Sequence, residues 1–214
     1  MRVKRKSLFI TLIRLVMGIS LICFAFKPFS AQAVPIEHGV TLSTTVLTYL
    51  AFDITTGDTI PLSNLTPGTP ICSATSSIAS VATNAANGYT IGLSDGSDTN
   101  SALHQGATYI PDMTDGTIDT PVVWGSPPTF YGLGVGLWAA DTNKENKWGA
   151  GTTVCHASNK YAAIPSGATT AHTVTGVVSG TDTSSWSWKI DVLNTQKTGL
   201  YGGDVTFTVT AVLS

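Results

Sequence analysis

Charge is scarce in this sequence, and arginine is absent beyond Arg14. Charged residues make up 11% of the 214 residues, and after residue 33 five lysines minus 13 acidic residues give a formal net charge of −8. Proteins that hold nucleic-acid phosphates need clustered lysine and arginine, and attraction to anionic membrane surfaces needs the same residues. We therefore expect no nucleic-acid partner, and binding to anionic membrane surfaces is disfavoured.

The sequence also lacks the motifs of common catalytic, nucleotide and metal sites. It contains no H-E-x-x-H or P-loop pattern, and its four histidines are scattered without metal-ligand spacing. The glycine-rich run at 132–136 lacks the following helix and acidic residue of a dinucleotide fingerprint, which favours a strand that another backbone closely approaches. Glycosidases need two flanking carboxyls, and Glu37 and Glu145 are the only glutamates. We therefore expect no enzymatic activity, no catalytic residue, no cofactor and no metal site.

Cysteine is the third scarce residue type. Of three cysteines, Cys23 lies in the apolar N-terminal run, which leaves Cys72 and Cys155 in the rest of the chain. An even number of cysteines in an exported chain favours a disulfide between them. The alternative is a nucleophilic pair of Cys155 with His156, but adjacent strand residues point in opposite directions and no third orienting group is apparent. We predict the Cys72–Cys155 disulfide.

The N-terminus has three regions in the order of a secretory signal peptide. Basic residues occupy positions 2, 4, 5, 6 and 14, an apolar run covers 15–26, and Ala31-Gln32-Ala33 forms an A-x-A cleavage sequence. A membrane anchor is the alternative, but the run is shorter than the roughly 20 apolar residues that a span requires. We predict a signal peptide over 1–33 with no stable membrane span after cleavage, one β-domain over 34–214, and a secreted or extracellular-surface location.

What the sequence does contain is alternation with a period of two, most clearly near its C-terminus. Trp186, Trp188, Ile190 and Val192 alternate with polar residues, and apolar residues alternate with threonines over 205–213. Successive side chains on a strand point to opposite faces, so each run defines one apolar face. Glycine-rich turn chemistry joins the two runs. We predict two neighbouring antiparallel strands that close one side of a β-sandwich.

The rest of the chain continues the pattern in shorter segments. No helical periodicity follows the N-terminal region, so any further helix should be short. Asn87-Gly88 is a strong hairpin signal. β-branched segments between turn residues predict an all-β fold, namely a single antiparallel β-sandwich, Ig-like or pilin-like, of roughly eight to ten strands after the signal helix. The other candidate strands lie at 40–55, 78–83, 89–93, 130–140, 154–163 and 173–179.

Two groups of residues could bind a ligand. Trp148 lies among charged residues and is expected to be exposed, and Trp138 lies near a strand end, so either ring could stack on a sugar. Asp95, Asp98 and Asn100 offer oxygen ligands for calcium, but the EF-hand spacing is absent and a solvated turn is the simpler interpretation. We retain Trp148 and Trp138 as the ligand-stacking candidates.

Two segments resemble known bacterial sequences. The first is Asn84–Ser94 with its N-x-x-x-G-Y-T pattern, and the second is Gly199-Leu-Tyr201 followed by the alternating Thr/Val strand at 204–210. Together they resemble uncharacterised secreted surface proteins of bacteria of the candidate-phyla type, which implies a surface β-sandwich without an established activity. They are also similar, more weakly, to spore-coat-U-type pilins, which implies polymerisation in which an extended segment of one subunit completes the sheet of another. Neither resemblance implies a catalytic residue.

These observations favour a non-enzymatic structural or adhesive β-sandwich protein at the cell surface or outside the cell. Its partners would be other copies of itself, other cell-surface proteins or glycans. One alternative is a pilin-like subunit that polymerises by strand exchange, with 40–54 as the exchanged strand. The other alternative is a carbohydrate-binding module that uses Trp148 or Trp138.

Overall fold

β-Branched and aromatic residues in alternation with small polar ones place nearly all regular structure of the described residues in β-strands. The computed structural model describes residues 41–95, 103–125 and 130–213. The predicted signal peptide, 1–33, lies outside the described residues. The chain divides into two compact units, Met1–Thr45 and Val46–Ser214, and the strands of the described residues all lie in the second unit.

Twelve strands and one three-residue 3-10 helix, Asn146–Trp148, form the regular structure of the described residues. The predicted all-β class is confirmed, and the strand number exceeds the expected eight to ten because several strands have only two or three residues. None of the helices in the described ranges is long and apolar enough to cross a membrane. In chain order the strands are β1 (Leu50–Thr56), β2 (Ile71–Cys72), β3 (Ser77–Thr83), β4 (Tyr89–Ser94), β5 (Leu103–Gln105), β6 (Thr108–Ile110), β7 (Val122–Val123), β8 (Gly132–Ala140), β9 (Lys160–Ala163), β10 (Thr169–Val174), β11 (Asp182–Asp191) and β12 (Thr206–Ala211).

The strands form two main sheets and a small hairpin. The larger sheet has the order β1-β3-β11-β8-β9-β7, with β2 also paired to β11, and the smaller sheet has the order β10-β4-β12. β5 and β6 pair only with each other among the described strands. All ladders between these strands are antiparallel, as expected for a sandwich.

The predicted pairing of 186–192 with 205–213 is wrong. β11 lies in the larger sheet, whereas β12 pairs with β4 in the smaller one. The two strands face each other across the core: the ring of Phe207 lies 5.6 Å from the ring of Trp186 and 6.4 Å from that of Trp188, centre to centre. Alternation specifies which face of a strand is buried, but burial can be supplied by a facing sheet as well as by a neighbouring strand.

The hairpin predicted at Asn87-Gly88 is also absent. β3 and β4 flank this turn but belong to different sheets, so the turn carries the chain from one sheet to the other. Gly88 has a φ of +81°, and a side chain at this position would collide with the Val174 carbonyl. The glycine is therefore required by the backbone conformation and by the close approach of the carbonyl. Neither requirement determines which strands pair with each other.

The main core lies between the two sheets and contains the inward-facing residues of β3, β4, β8 and β11. A second, smaller cluster of Met113, Trp124 and Tyr161 is separate from it. Lys189 of β11 points to this cluster, with its ammonium 5.5 Å from the ring centres of Trp124 and Tyr161. The predicted close approach at 132–136 is confirmed, since a Cβ on Gly136 would lie 2.5 Å from the Lys160 carbonyl oxygen.

Candidate functional site

The predicted disulfide is present. The sulfur atoms of Cys72 and Cys155 are 2.09 Å apart, and their Cα atoms are 5.9 Å apart. The bond anchors the loop before β9 to β2, which lies beside the centre of the larger sheet. Since Cys155 is half of a disulfide, it offers no thiol for the alternative nucleophilic pair with His156.

The expectation that Trp148 is exposed is wrong. Its side chain is completely buried, 5.9 Å from the ring centre of Trp186, and its Nε1 donates a hydrogen bond to the Ala171 carbonyl at 3.1 Å. The neighbouring charges do mark a surface loop, but the short 3-10 turn directs the indole inward and leaves the Lys147 ammonium 5.4 Å from its ring centre. A sugar therefore cannot stack on Trp148 in this structure.

Trp138 is partly exposed at the C-terminal half of β8. Its Nε1 donates a hydrogen bond to the Ser76 hydroxyl at 2.7 Å, which fixes the orientation of the ring. The structure does not bring Trp138 together with Trp148 as a common binding surface, because the second ring is enclosed in the core. Trp138 alone stays a ligand-stacking prediction.

The residues that carry the resemblance have structural roles. The Asn84 side chain accepts a hydrogen bond from the Tyr49 amide at 2.6 Å and donates one to the Leu47 carbonyl at 2.9 Å, which extends the pairing of β1 with β3. The Tyr89 hydroxyl donates to Oδ2 of Asp182 at 2.9 Å in the core, where burial and the nearby carboxylates raise the pKa of Tyr89. Within the second segment, the Tyr201 hydroxyl donates to a backbone carbonyl of its own loop. The motifs therefore specify parts of the fold.

A carboxylate–imidazole pair lies at the smaller sheet, where His172 of β10 is buried and Glu145 is partly exposed. Nδ1 of His172 lies 2.8 Å from Oε2 of Glu145, and Oε1 of Glu145 accepts a hydrogen bond from the Thr173 amide at 2.8 Å. Burial disfavours the charged form of Glu145, but the hydrogen bond and charge of His172 outweigh it and hold the pKa of Glu145 below its ordinary value. In the described ranges no three His, Cys, Asp or Glu side chains are grouped as a metal site would require. Of the calcium candidates, Asp98 and Asn100 lie outside these ranges.

The most distinctive surface is the outer edge of β12, which we call the open edge. β12 is the last strand of the smaller sheet, and among the described residues no strand pairs with its outer side. Its inward-facing Phe207 and Val209 are only half-buried, although the equivalent side chains of the adjacent β4, Ile91 and Leu93, are completely buried. The apolar side chains of β12 are therefore only partly covered at this edge of the sandwich.

A groove of about 250 Å³ lies beside the open edge. Its walls come from both sheets, with Ile54 of β1 and Trp188 of β11 on one side and Phe207 of β12 on the other. Sequence reasoning missed this groove, because the only signal was the apolar face of 205–213, and that face was assigned to a different partner. The other apolar residues that line the groove are Ile60, Leu62, Leu103, Leu133 and Val205.

The stretch before β1 exposes an unusual amount of apolar surface. Leu42 is 89% exposed, and Val46 and Leu47 are each 80% exposed. All residues from 41 to 50 are exposed, and five of them are apolar. Contiguous exposed apolar residues mark interaction surfaces more often than they mark free solvent-facing segments.

No protein-family model, no curated protein and no solved structure matches this chain. The geometry of the open edge, the groove and the exposed stretch is therefore the main guide to function.

Proposed function

We propose that this protein is a non-enzymatic structural subunit of an extracellular or cell-surface assembly, in which 41–46 of one copy adds as a strand to the open edge of another. The observation that carries the proposal is the combination of an unpaired β12 edge with half-buried inward side chains and an adjoining apolar groove. Exposed sheet edges of this kind readily accept a further strand.

The backbone of β12 supports strand addition at this edge. The Val212 amide donates to the Gly88 carbonyl at 2.9 Å, continuing the ladder with β4. Hydrogen-bonded positions alternate along an antiparallel ladder, so Phe207, Val209 and Ala211 direct their N–H and C=O groups away from β4. An added strand would satisfy these groups and cover the side chains of the same residues.

The stretch 41–46 has the pattern that such a strand needs. Leu42 and Val46 are four residues apart and so lie on one face of an extended chain. Thr41, Ser43 and Thr45 lie on the other face.

The predicted exchanged segment was 40–54, but Leu50–Ile54 belongs to β1 and pairs with β3 of its own copy. The backbone of Leu47 and Tyr49 is also hydrogen-bonded to Asn84 of its own copy, which leaves 41–46 as the donor stretch. The stretch before β1 is the part that carries exposed apolar side chains.

The other end of the smaller sheet is a poorer acceptor. β10 also lacks an outer neighbour among the described strands, but its inward-facing Ala171 and Val174 are completely buried. A strand added there would gain backbone hydrogen bonds without covering apolar surface. Since burial of apolar area supplies most of the free energy of association, addition at β12 is favoured.

The test compares two single substitutions that add the same charge to opposite faces of the donor stretch. Val46→Asp places a carboxylate on the apolar face, and Thr45→Asp places one on the polar face one residue earlier. We expect residues 34–214 to form concentration-dependent oligomers or fibres in sedimentation velocity and electron microscopy. Thr45→Asp should assemble like the parent, whereas Val46→Asp should stay monomeric.

An acceptor-side variant completes the test. Val209→Pro removes an N–H that points away from β4 and keeps an aliphatic side chain, and proline is tolerated on edge strands. It should fold but not assemble. A parent protein that stays monomeric at every concentration, or a Val46→Asp variant that assembles as well as Thr45→Asp, would refute strand addition. Mass spectrometry of the exported product tests the proposed extracellular or cell-surface location. We expect residue 34 to be the first residue of that product.

A further inference from the structure

A second cavity, of about 310 Å³, lies at the end of β11, and it is lined by different residues from the groove at the open edge. Its volume is at the lower end of the range for small-molecule sites, about 300 to 1,000 Å³. One wall is a tight turn, one wall is aromatic, and a buried acidic residue belongs to the lining. The residues used below are Pro67, Gly68, Phe130, Tyr131, Asp191 and Val192.

Asp191 is held rigidly in this cavity. The residue is 1% exposed, and its Oδ1 accepts hydrogen bonds from the Gly68 amide at 3.0 Å and the Val192 amide at 2.7 Å. Gly68, with a φ of +79°, follows Pro67 in a turn closed by a hydrogen bond from the Thr69 amide to the Thr66 carbonyl at 3.0 Å, a sequence typical of a type II turn. The carboxylate position is therefore set by backbone on two sides.

The second oxygen of Asp191 has no partner. No hydrogen-bond donor in the described part of the chain reaches Oδ2, although this atom is buried. Lys189, two residues earlier, has its ammonium 5.5 Å from the ring centres of both Trp124 and Tyr161. None of the lining residues is cationic. A buried carboxylate oxygen without a donor is costly, so this atom is an acceptor in need of a ligand group.

We infer that the cavity binds a primary alkylammonium group, either of a small amine or at the end of a lysine side chain. An ammonium group both donates a hydrogen bond to Oδ2 of Asp191 and neutralises its charge, whereas a neutral hydroxyl only donates. The rings of Phe130 and Tyr131 favour a cation and cover an alkyl chain. The net charge of −8 after residue 33 favours a cationic ligand over an anionic one. This inference does not depend on strand addition.

The test uses 15N-labelled residues 34–214 with the Gly68 and Val192 amides as reporters, because both donate to Asp191. The probes are butylammonium chloride, N-acetyl-lysine amide and the neutral isostere 1-butanol, each titrated to about 10 mM, the range expected for ligands of this size. We expect saturable shifts with butylammonium and at least about tenfold weaker binding of 1-butanol. Tighter binding of N-acetyl-lysine amide than of butylammonium would identify a lysine side chain as the source of the ammonium group. Tighter binding of butylammonium would identify a small amine as the source.

Two variants assign the effect to the carboxylate. Asp191→Asn keeps an oxygen for the two amides but removes the charge, and it should bind butylammonium at least about tenfold more weakly. Asp119→Asn, an exposed residue that does not line the cavity, makes the same charge change and should bind like the parent. If Asp191→Asn does not fold, Tyr131→Leu and the 1-butanol comparison on the parent remain decisive. Equal shifts with butylammonium and 1-butanol, no saturable shift, or undiminished binding by a folded Asp191→Asn would overturn the inference.

Discussion

Asn84, Gly88 and Tyr89 show how single residues in this chain serve the fold. Asn84 fastens the stretch before β1, Gly88 permits the turn between sheets, and Tyr89 places its hydroxyl against buried Asp182. Each satisfies a backbone or burial requirement at its own position. The N-x-x-x-G-Y-T pattern therefore contributes to the architecture of the fold.

Glu145 gives the stability of the protein a defined pH dependence. Its pKa in the folded state is below the ordinary value, so its contribution to stability is present above the unfolded pKa, about 4.3, and is lost as the pH falls through the folded pKa. We expect Glu145→Gln to be less stable than the parent at pH 7, because it weakens the contact with His172. The difference should shrink below about pH 4.

Urea denaturation of both proteins at several pH values between 3 and 7 measures this difference. The variant retains an oxygen for the Thr173 amide, so the comparison isolates the carboxylate charge from the backbone hydrogen bond. A difference in unfolding free energy that stays constant over the whole pH range would contradict the assignment.

At the scale of elements, alternation predicted the faces of strands better than their partners. Trp186, Trp188 and Ile190 are buried on one face of β11 as predicted, and 78–83 coincides with β3 within one residue. The predicted strand at 173–179 is in fact β10 at Thr169–Val174, because Val177 and Val178 belong to a loop. A period of two records which side chains are buried, whereas pairing depends on contacts distant in sequence.

The disulfide is a covalent restraint between β2 and the loop before β9. It joins residues 83 positions apart, and closing a loop of this size restricts the unfolded chain more than the folded one. We expect the double variant Cys72→Ala/Cys155→Ala to lose about 2 to 4 kcal/mol of unfolding free energy. Urea denaturation of the oxidised parent, the reduced parent and the double variant measures the loss.

Reduction should destabilise the parent by a similar amount and leave the double variant unchanged, since that variant has no bond to break. A reductant that shifts the unfolding midpoint of the double variant would show that the effect in the parent does not come from Cys72–Cys155. An unchanged midpoint for the reduced parent would mean that the loop closure contributes nothing.

At the scale of the whole molecule, the sandwich class follows from the sequence and the candidate sites do not. The open edge exists because β12 pairs with β4 and not with β11, a choice that local alternation leaves undetermined. The cavity at Asp191 likewise requires Gly68 and Val192 to meet, although they are far apart in the chain. The prediction that Trp148 is an exposed ligand-stacking residue was wrong, because charged sequence neighbours indicate a surface loop but do not determine which way the ring points.

Phe207 of the smaller sheet packs against two tryptophans of the larger sheet. Its ring packs edge-on against both Trp186 and Trp188 of the opposite sheet, and its outer side forms a wall of the groove. We expect Phe207→Ala to lower the unfolding free energy by about 2 to 4 kcal/mol. This loss is towards the lower end of those found for phenylalanine-to-alanine substitutions, because the residue is only half-buried. Phe207→Leu should lower the unfolding free energy by less. Calorimetry should show one unfolding transition for the parent and both variants, at a lower temperature for alanine than for leucine. Equal stability of all three proteins would show that the sheets do not depend on this ring for their association.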